Sequence, residues 1–154
     1  MVARKLKAFL DRNGVKYTVI DHAPAYTAPE AAALAHVSGR DFAKTVIVLF
    51  AGEMAMVVLP ANRKIVLSDL QEMFADRTLR LATEKEFMDQ FPDCELGAMP
   101  PFGNLYGLPV YVARSLAEEP MIAFNAGTHR EIIKMSFNDF DQLVQPAVLD
   151  FATL

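Results

Sequence analysis

The feature that most constrains this chain is a pair of apolar runs, Thr45 to Phe50 and Met54 to Leu59, separated only by Ala51-Gly52-Glu53. Each run is strand-length, and a three-residue break containing glycine allows the chain to do little but fold back as a hairpin. Strands joined this closely must pair antiparallel, which excludes an all-parallel sheet and an all-helical bundle. Around the hairpin the periodicity changes repeatedly. Val2, Leu6, Phe9 and Leu10 fall at helical spacing, with Gly14 as a left-handed stop. Val15 to Asp21 alternates like a half-buried strand.

Further helices announce themselves by their caps. Thr27-Ala28-Pro29-Glu30 reads as a capping box opening an alanine-rich helix to about Val37, with His36 near its end and Gly39 beyond. Ser68-Asp69-Leu70-Gln71 is expected to cap a short helix, and Thr83-Glu84-Lys85-Glu86 another reaching about Phe91. Ser136 opens a last helix, Phe137 to Val144. Strands are expected at Thr78 to Ala82, Pro109 to Ala113, Pro120 to Asn125 and Glu131 to Met135. Turns join strands as often as helices do. The expected architecture is one α+β domain spanning 1–154, with a mixed, mostly antiparallel sheet.

The 154 residues, 53% hydrophobic and 22% charged, are ordinary for a globular chain. No apolar run approaches the roughly 20 residues of a membrane span, and the basic, amphipathic N-terminus lacks the unbroken apolar stretch of a signal peptide. The expectation is a cytoplasmic protein. The single Cys94 rules out an internal disulfide, and with three dispersed histidines it leaves no zinc ligand set, so no metal or cofactor is expected. A net charge of −4 speaks against a broad duplex-DNA interface, and no helix-turn-helix signature is present. No P-loop, dinucleotide-binding glycine fingerprint or His-Glu-x-x-His occurs.

Three segments carry candidate chemistry. In Gly97-Ala98-Met99-Pro100-Pro101-Phe102-Gly103 two glycines bracket two prolines. Such a loop can hold backbone N–H groups rigidly toward an oxyanion, and it also reads as a tight connection. Lys44 stands where a polar segment gives way to a buried strand, placed to meet a phosphate or to snorkel from a core strand. Asn125-Ala126-Gly127-Thr128-His129-Arg130 is a turn able to line a pocket or merely to be solvated. A Cys94–His129 nucleophilic pair has no supporting motif, and a lone cysteine is most often a small buried hydrophobe.

In this order and spacing, the opening helix, Tyr26-Thr27-Ala28-Pro29-Glu30-Ala31-Ala32, Ala43-Lys44-Thr45, the glycine–proline loop and Asn125-Ala126-Gly127-Thr128-His129 resemble the YbaK/ProX family. Its members are free-standing relatives of the editing domain of bacterial prolyl-tRNA synthetases. The resemblance implies a sheet curled into a partial barrel with helices around it, and metal-independent hydrolysis of mischarged aminoacyl-tRNA. Lys44 and the backbone of Gly97 and Ala98 are then the catalytic candidates. Met99, Pro100, Phe102, Gly127, Thr128 and His129 are the candidate substrate-binding set. The implied partners are the acceptor end of aminoacyl-tRNA and prolyl-tRNA synthetase, with a small amino acid on proline tRNA as the substrate. A binding module of the same fold that does not hydrolyse its ligand is the competing reading.

Overall fold

A computed structural model describes residues 1–154. The hairpin at its centre is formed by β2 (Phe42–Phe50) and β3 (Glu53–Pro60), in register from Ala43↔Pro60 to Phe50↔Glu53. Ala51 and Gly52 make the turn with φ of 51° and 77°. Two consecutive positive φ values match the right-handed twist of the flanking strands, as a primed hairpin turn requires.

Outward from this hairpin the sheet gains β1 (Tyr17–Asp21), β6 (Val110–Ala113), β7 (Met121–Asn125), β8 (Glu131–Ser136) and β9 (Ala147–Leu149). The strand order is β1-β8-β7-β2-β3-β6-β9, and β5 (Arg80–Leu81) pairs with the far end of β2. The β1–β8, β7–β8, β2–β3 and β2–β5 pairings are antiparallel, while β2–β7, β3–β6 and β6–β9 are parallel. The sheet is thus mixed and mostly antiparallel, and it does not close: β1 and β9 remain separate edges. A second sheet of two strands joins β4 (Lys64–Ile65) to β10 (Ala152–Thr153).

Side-chain alternation divides the core. One face of the sheet carries Ala43, Ile47, Met56, Val58, Ile122, Phe124, Ile133 and Met135. It is covered by α1 (Arg4–Arg12) through Leu6 and Leu10, and by α6 (Phe137–Val144) through Phe137, Phe140 and Val144. The opposite face carries two separate clusters. Val48, Val57 and Leu59 pack with Leu70 of α3 (Leu67–Met73) and with Phe151. Phe42, Ala123 and Ile132 pack with Ala31 and Ala32 of α2 (Ala28–Leu34). Lys44 belongs to this second face by alternation, between Phe42 of one cluster and Val48 of the other.

Caps decide where helices begin and end. The Thr83 hydroxyl accepts from Glu86 N–H while the Glu86 carboxylate accepts from Thr83 N–H at 2.9 Å, a complete capping box for α4 (Glu84–Phe87). That helix stops at Phe87 and continues to Gln90 as a 3₁₀ turn, short of the expected Phe91. At α2 the box is split: Thr27 accepts from Glu30 N–H, but Glu30 reaches back to Tyr26 N–H. Helix α2 ends at Leu34 because His36 turns left-handed (φ 57°). His36 N–H then donates to Ala33 and Val37 N–H to Ala32, a Schellman motif that satisfies the last carbonyls. Ser68 does not cap α3; the helix has already begun at Leu67, and Val66 in the capping position offers no side-chain acceptor. No helix is long and apolar enough to cross a membrane.

Candidate active site

Three loops meet at the end of β7. The turn leaving this strand is bonded to the glycine–proline loop from both sides: Gly127 N–H donates to Ala98 O at 3.0 Å, and Glu95 N–H donates to Gly127 O at 2.7 Å. His129 extends the junction. Its backbone N–H donates to the Glu95 carboxylate at 2.7 Å. Its ring lies with Nε2 2.8 Å from Leu96 O and Nδ1 3.1 Å from Ala25 O. A carbonyl oxygen only accepts, so whichever ring nitrogen carries a proton donates it to the backbone. The third loop adds Tyr26, whose ring centroid lies 4.7 Å from that of His129, leaving Tyr26 73% exposed.

Gly97 sits at the exposed rim of this junction with φ 86°. A β-carbon there would meet His129 Cε1 at 3.5 Å, an ordinary contact, so the glycine is required by its dihedral and not by lack of room. Its N–H points at the Met99 sulfur at 3.3 Å, a weak acceptor. Ala98 behaves differently. Its N–H already donates to Glu95 O at 3.0 Å, closing a turn. An oxyanion donor at Ala98 would have to break that bond, so of the two proposed donors Gly97 is the more weakly held.

Of the candidate substrate-binding residues, several have structural work. Phe102 is fully buried, with its ring 5.5 Å from Phe124 and 5.3 Å from Phe140 between centroids. Met99 is 4% exposed and Pro100 is buried. These residues hold the loop to the core and do not form its open wall. The Thr128 hydroxyl accepts from Arg130 and Glu131 N–H and donates to the Glu131 carboxylate, fastening the β7–β8 turn. Gly127, at φ 100°, lies where a β-carbon would fall 2.6 Å from Ala3 Cβ. It makes room for the start of α1.

Lys44 is the third residue of β2, not its entrance, because pairing with β3 begins at Ala43. The parallel register Phe42↔Ala123 and Ala43↔Phe124 carries Lys44 alongside Asn125, the last residue of β7 before the turn. By alternation both side chains leave the sheet on the same face. The ammonium of Lys44 forms no ion pair with any carboxylate. Burial lowers its pKa, and the neighbouring charge of Lys64 lowers it further. The Asn125 side-chain oxygen is buried with no hydrogen-bond partner. A buried acceptor without a partner costs free energy that a bound donor or an ordered water recovers. No sequence signal of their own marks Asn125, Tyr26 and Glu95 as site residues. Asn125 and Tyr26 do lie inside the segments that carried the resemblance, and an unmatched acceptor can be recognised only once its surroundings are known.

Cys94 lies beneath the loop, its thiol 3.4 Å from the Tyr106 hydroxyl, which donates to Asp93 at 2.8 Å. Burial is the main reason its pKa is pushed up to about 11, so the sulfur stays a thiol and not the thiolate a nucleophile requires. No three His, Cys, Asp or Glu side chains converge as a ligand set. The largest cavity, about 560 Å³, opens elsewhere, against Ser68, Gln71, Glu72, Ala75 and Arg77. Those side chains are exposed or half-buried and bring no reactive grouping together.

Residues 22–143 match the family described as the aminoacyl-tRNA editing domain. No curated protein matches the sequence. Among solved structures the chain is similar to the hypothetical protein APE2540, with 23% identity and a TM-score of 0.86 over 97% of this chain and 100% of that one. It is similar to a protein provisionally described as a trans-editing enzyme for prolyl-tRNA synthetase, with 21% identity and a TM-score of 0.84 over 99% of this chain and 97% of that one. It also matches part of a provisionally assigned signal transduction protein from Marinobacter aquaeolei VT8, with 19% identity and a TM-score of 0.76 over 97% of this chain but 30% of the longer one. At these identities the likenesses establish a common fold.

Proposed function

The chain belongs to the aminoacyl-tRNA editing domain family, and from that premise we propose that it is a free-standing deacylase, residues 1–154 acting as one domain, that hydrolyses mischarged aminoacyl-tRNA. The proposed substrate is a small amino acid esterified to proline tRNA, and the proposed setting is the cytoplasm, with prolyl-tRNA synthetase as a working partner. The observation that carries the reading is the junction of Gly97, His129 and Tyr26, with Lys44 and Asn125 beside the same strand end.

In this mechanism water attacks the ester carbonyl, and the oxygen that becomes negative is received by Gly97 N–H. The tetrahedral intermediate collapses by breaking the bond to the ribose oxygen, which takes up a proton. Free amino acid and uncharged tRNA leave. An aminoacyl ester is already activated, so positioning and one built oxyanion donor are adequate; such a donor supplies about 2.7–4 kcal/mol. Lys44 holds the terminal phosphate or orients the aminoacyl end, and the exposed Tyr26 ring offers the terminal base a stacking surface. Ala98, Met99, Pro100, Phe102, Gly127 and Thr128 shape the site through the backbone and the core beneath it, while the His129 ring forms its wall. No step is assigned to a metal or a protein nucleophile.

Selectivity follows from size. A synthetase pocket gains only about 1–3 kcal/mol per methylene and cannot strongly reject a smaller amino acid, whereas a small second pocket admits the mistake and excludes the correct product. The test is a panel of proline tRNA charged with alanine, cysteine, serine or proline. Release of the small residues with prolyl-tRNA spared supports the proposal. Equal hydrolysis of all four, or of none, removes it.

A further inference from the structure

We infer that α1 is a docking surface for the phosphate backbone of the tRNA acceptor stem, next to the site that takes the aminoacyl end. This inference rests on the deacylase reading for the identity of the RNA, and goes beyond it in assigning the surface.

The charge of the chain is unevenly distributed. Its first 20 residues hold five of the 15 lysines and arginines (Arg4, Lys5, Lys7, Arg12 and Lys16) and one of the 19 acidic residues, Asp11. That segment carries +4, and the remainder −8, of the total −4. All five cationic residues are exposed. The apolar side of α1 is occupied: Ala3, Leu6 and Leu10 are each no more than 2% exposed in the main core. A basic amphipathic helix whose apolar face is already buried cannot insert that face into a lipid surface, so only the charged side is offered. At 3.6 residues per turn Arg4 and Arg12 share the outward side, about 12 Å apart along the axis.

Local stability accounts for only part of this charge: Arg12, in the last turn, suits the helix dipole, but the start of the helix does not. The helix dipole favours acids in a first turn and disfavours cations, yet the first turn of α1 has no acid and opens with Arg4 and Lys5. Lys7 is paired with Asp11 at 2.7 Å, Lys5 leans over the Tyr106 ring at 5.1 Å, and Arg12 over the Phe9 ring at 5.8 Å. Arg4 and Lys16 have no ion-pair partner.

Position gives the surface its meaning. Ala3 N–H donates to Ala126 O at 2.8 Å, and the Ala3 side chain fills the space left open by Gly127. The helix therefore starts against the same turn that carries His129. Phe9, two turns along, meets Phe102 below the glycine–proline loop, with ring centroids 6.2 Å apart. An RNA whose 3′ end enters between these loops lies beside α1, where an acidic protein presents its main run of positive charge. The family match begins at residue 22, so α1 lies outside it.

The test uses the full chain carrying Arg4→Gln, Arg12→Gln and Lys16→Gln together, glutamine being a good helix former. Its control replaces Arg77, Lys85 and Arg114 by glutamine. Binding of an uncharged RNA hairpin containing the acceptor stem is measured against salt, alongside hydrolysis of an aminoacyl-adenosine ester that lacks the stem. The α1 variant is expected to bind the hairpin about tenfold more weakly at low salt, with a log–log salt slope shallower by roughly two to three. The control variant should bind normally, and the α1 variant should hydrolyse the short ester at the wild-type rate. Unchanged hairpin binding overturns the inference, as does an equal loss in the control. Loss of activity on the short ester overturns it too, because α1 would then act through the fold. If the wild type hydrolyses neither this ester nor the charged proline tRNA, the deacylase reading fails, while the hairpin measurement still decides the surface.

Discussion

Replacing Gly97 by alanine separates an oxyanion site from a plain connection. The residue sits at φ 86°, where an L side chain costs roughly 1–3 kcal/mol. The added β-carbon would meet only His129, at 3.5 Å and 3.9 Å, so no steric term adds to the dihedral cost. A stability loss of about 1–3 kcal/mol corresponds to about 2–12 °C in melting temperature for a chain of this size, which the thermal melt checks. The strain is relieved by rotating the peptide, and its N–H then leaves the line it holds toward the Met99 sulfur. A displaced oxyanion donor costs about 10²- to 10³-fold in rate. Ground-state affinity for tRNA should change less than about threefold, because the donor serves charge that exists only in the transition state. The assay is single-turnover deacylation with enzyme in excess, run beside tRNA binding and a thermal melt. A folded Gly97→Ala protein that keeps its rate within about threefold refutes the oxyanion assignment.

Other substitutions test neighbouring parts of the structure. Gly127→Ala should cost more stability than Gly97→Ala, about 2–5 kcal/mol from strain at φ 100° and overlap with Ala3 at 2.6 Å; a urea midpoint that barely moves would contradict the docking of α1 there. Lys44→Ala should lower deacylation about ten- to hundredfold without unfolding. Lys64→Ala removes the positive charge that helps lower the Lys44 pKa, so Lys44 keeps its proton to higher pH and the alkaline limb of the rate profile moves up; an unmoved limb in an active variant argues against Lys44 as the titrating group. Cys94, pushed from 9.0 to about 11, should react with an alkylating agent at pH 8 about a hundredfold more slowly than an unperturbed thiol, and Cys94→Ala should stay active. Fast alkylation, or a folded but inactive Cys94→Ala protein, would restore the covalent mechanism.

Local signals in the sequence were legible where one side chain settles a boundary. Ser136 accepts from Asp139 N–H, and α6 runs from Phe137 to Val144 as its cap implies. Thr83 opens α4 in the same way. Features that depend on distant partners were not legible. The two-residue strands β4 and β10 exist because Lys64 and Ile65 find Thr153 and Ala152, and no period can emerge from two residues. Strand β9 likewise depends on its parallel pairing with β6, and the four residues of α5 (Arg114–Ala117) are too few for a helical repeat. Ser68 had the chemistry of a cap but stood inside the helix, since Leu67 had already taken helical dihedrals.

The candidate site shows the same division. Lys44, Gly97 and His129 are chemically conspicuous residue types in their segments, and the sequence alone singles them out. The commitment of Ala98 N–H to Glu95, the burial of Phe102 among aromatic rings and the unmatched oxygen of Asn125 arise from packing between segments far apart in the chain. Gly97 and Gly127 look alike in sequence and differ in role. One is left-handed with the His129 ring at ordinary contact distance, and the other is left-handed with Ala3 too close for a β-carbon.

The most direct measurement of whether this protein is a hydrolase is a count of products per enzyme. Proline tRNA charged with alanine is supplied in large excess over protein, with and without a chelator, and released alanine is followed to completion. The expected result is many alanines released per chain, at a rate indifferent to the chelator and sharply reduced in Lys44→Ala. Release that stops at or below one alanine per chain, while the charged tRNA stays bound, would instead identify a binding module and contradict the hydrolytic account.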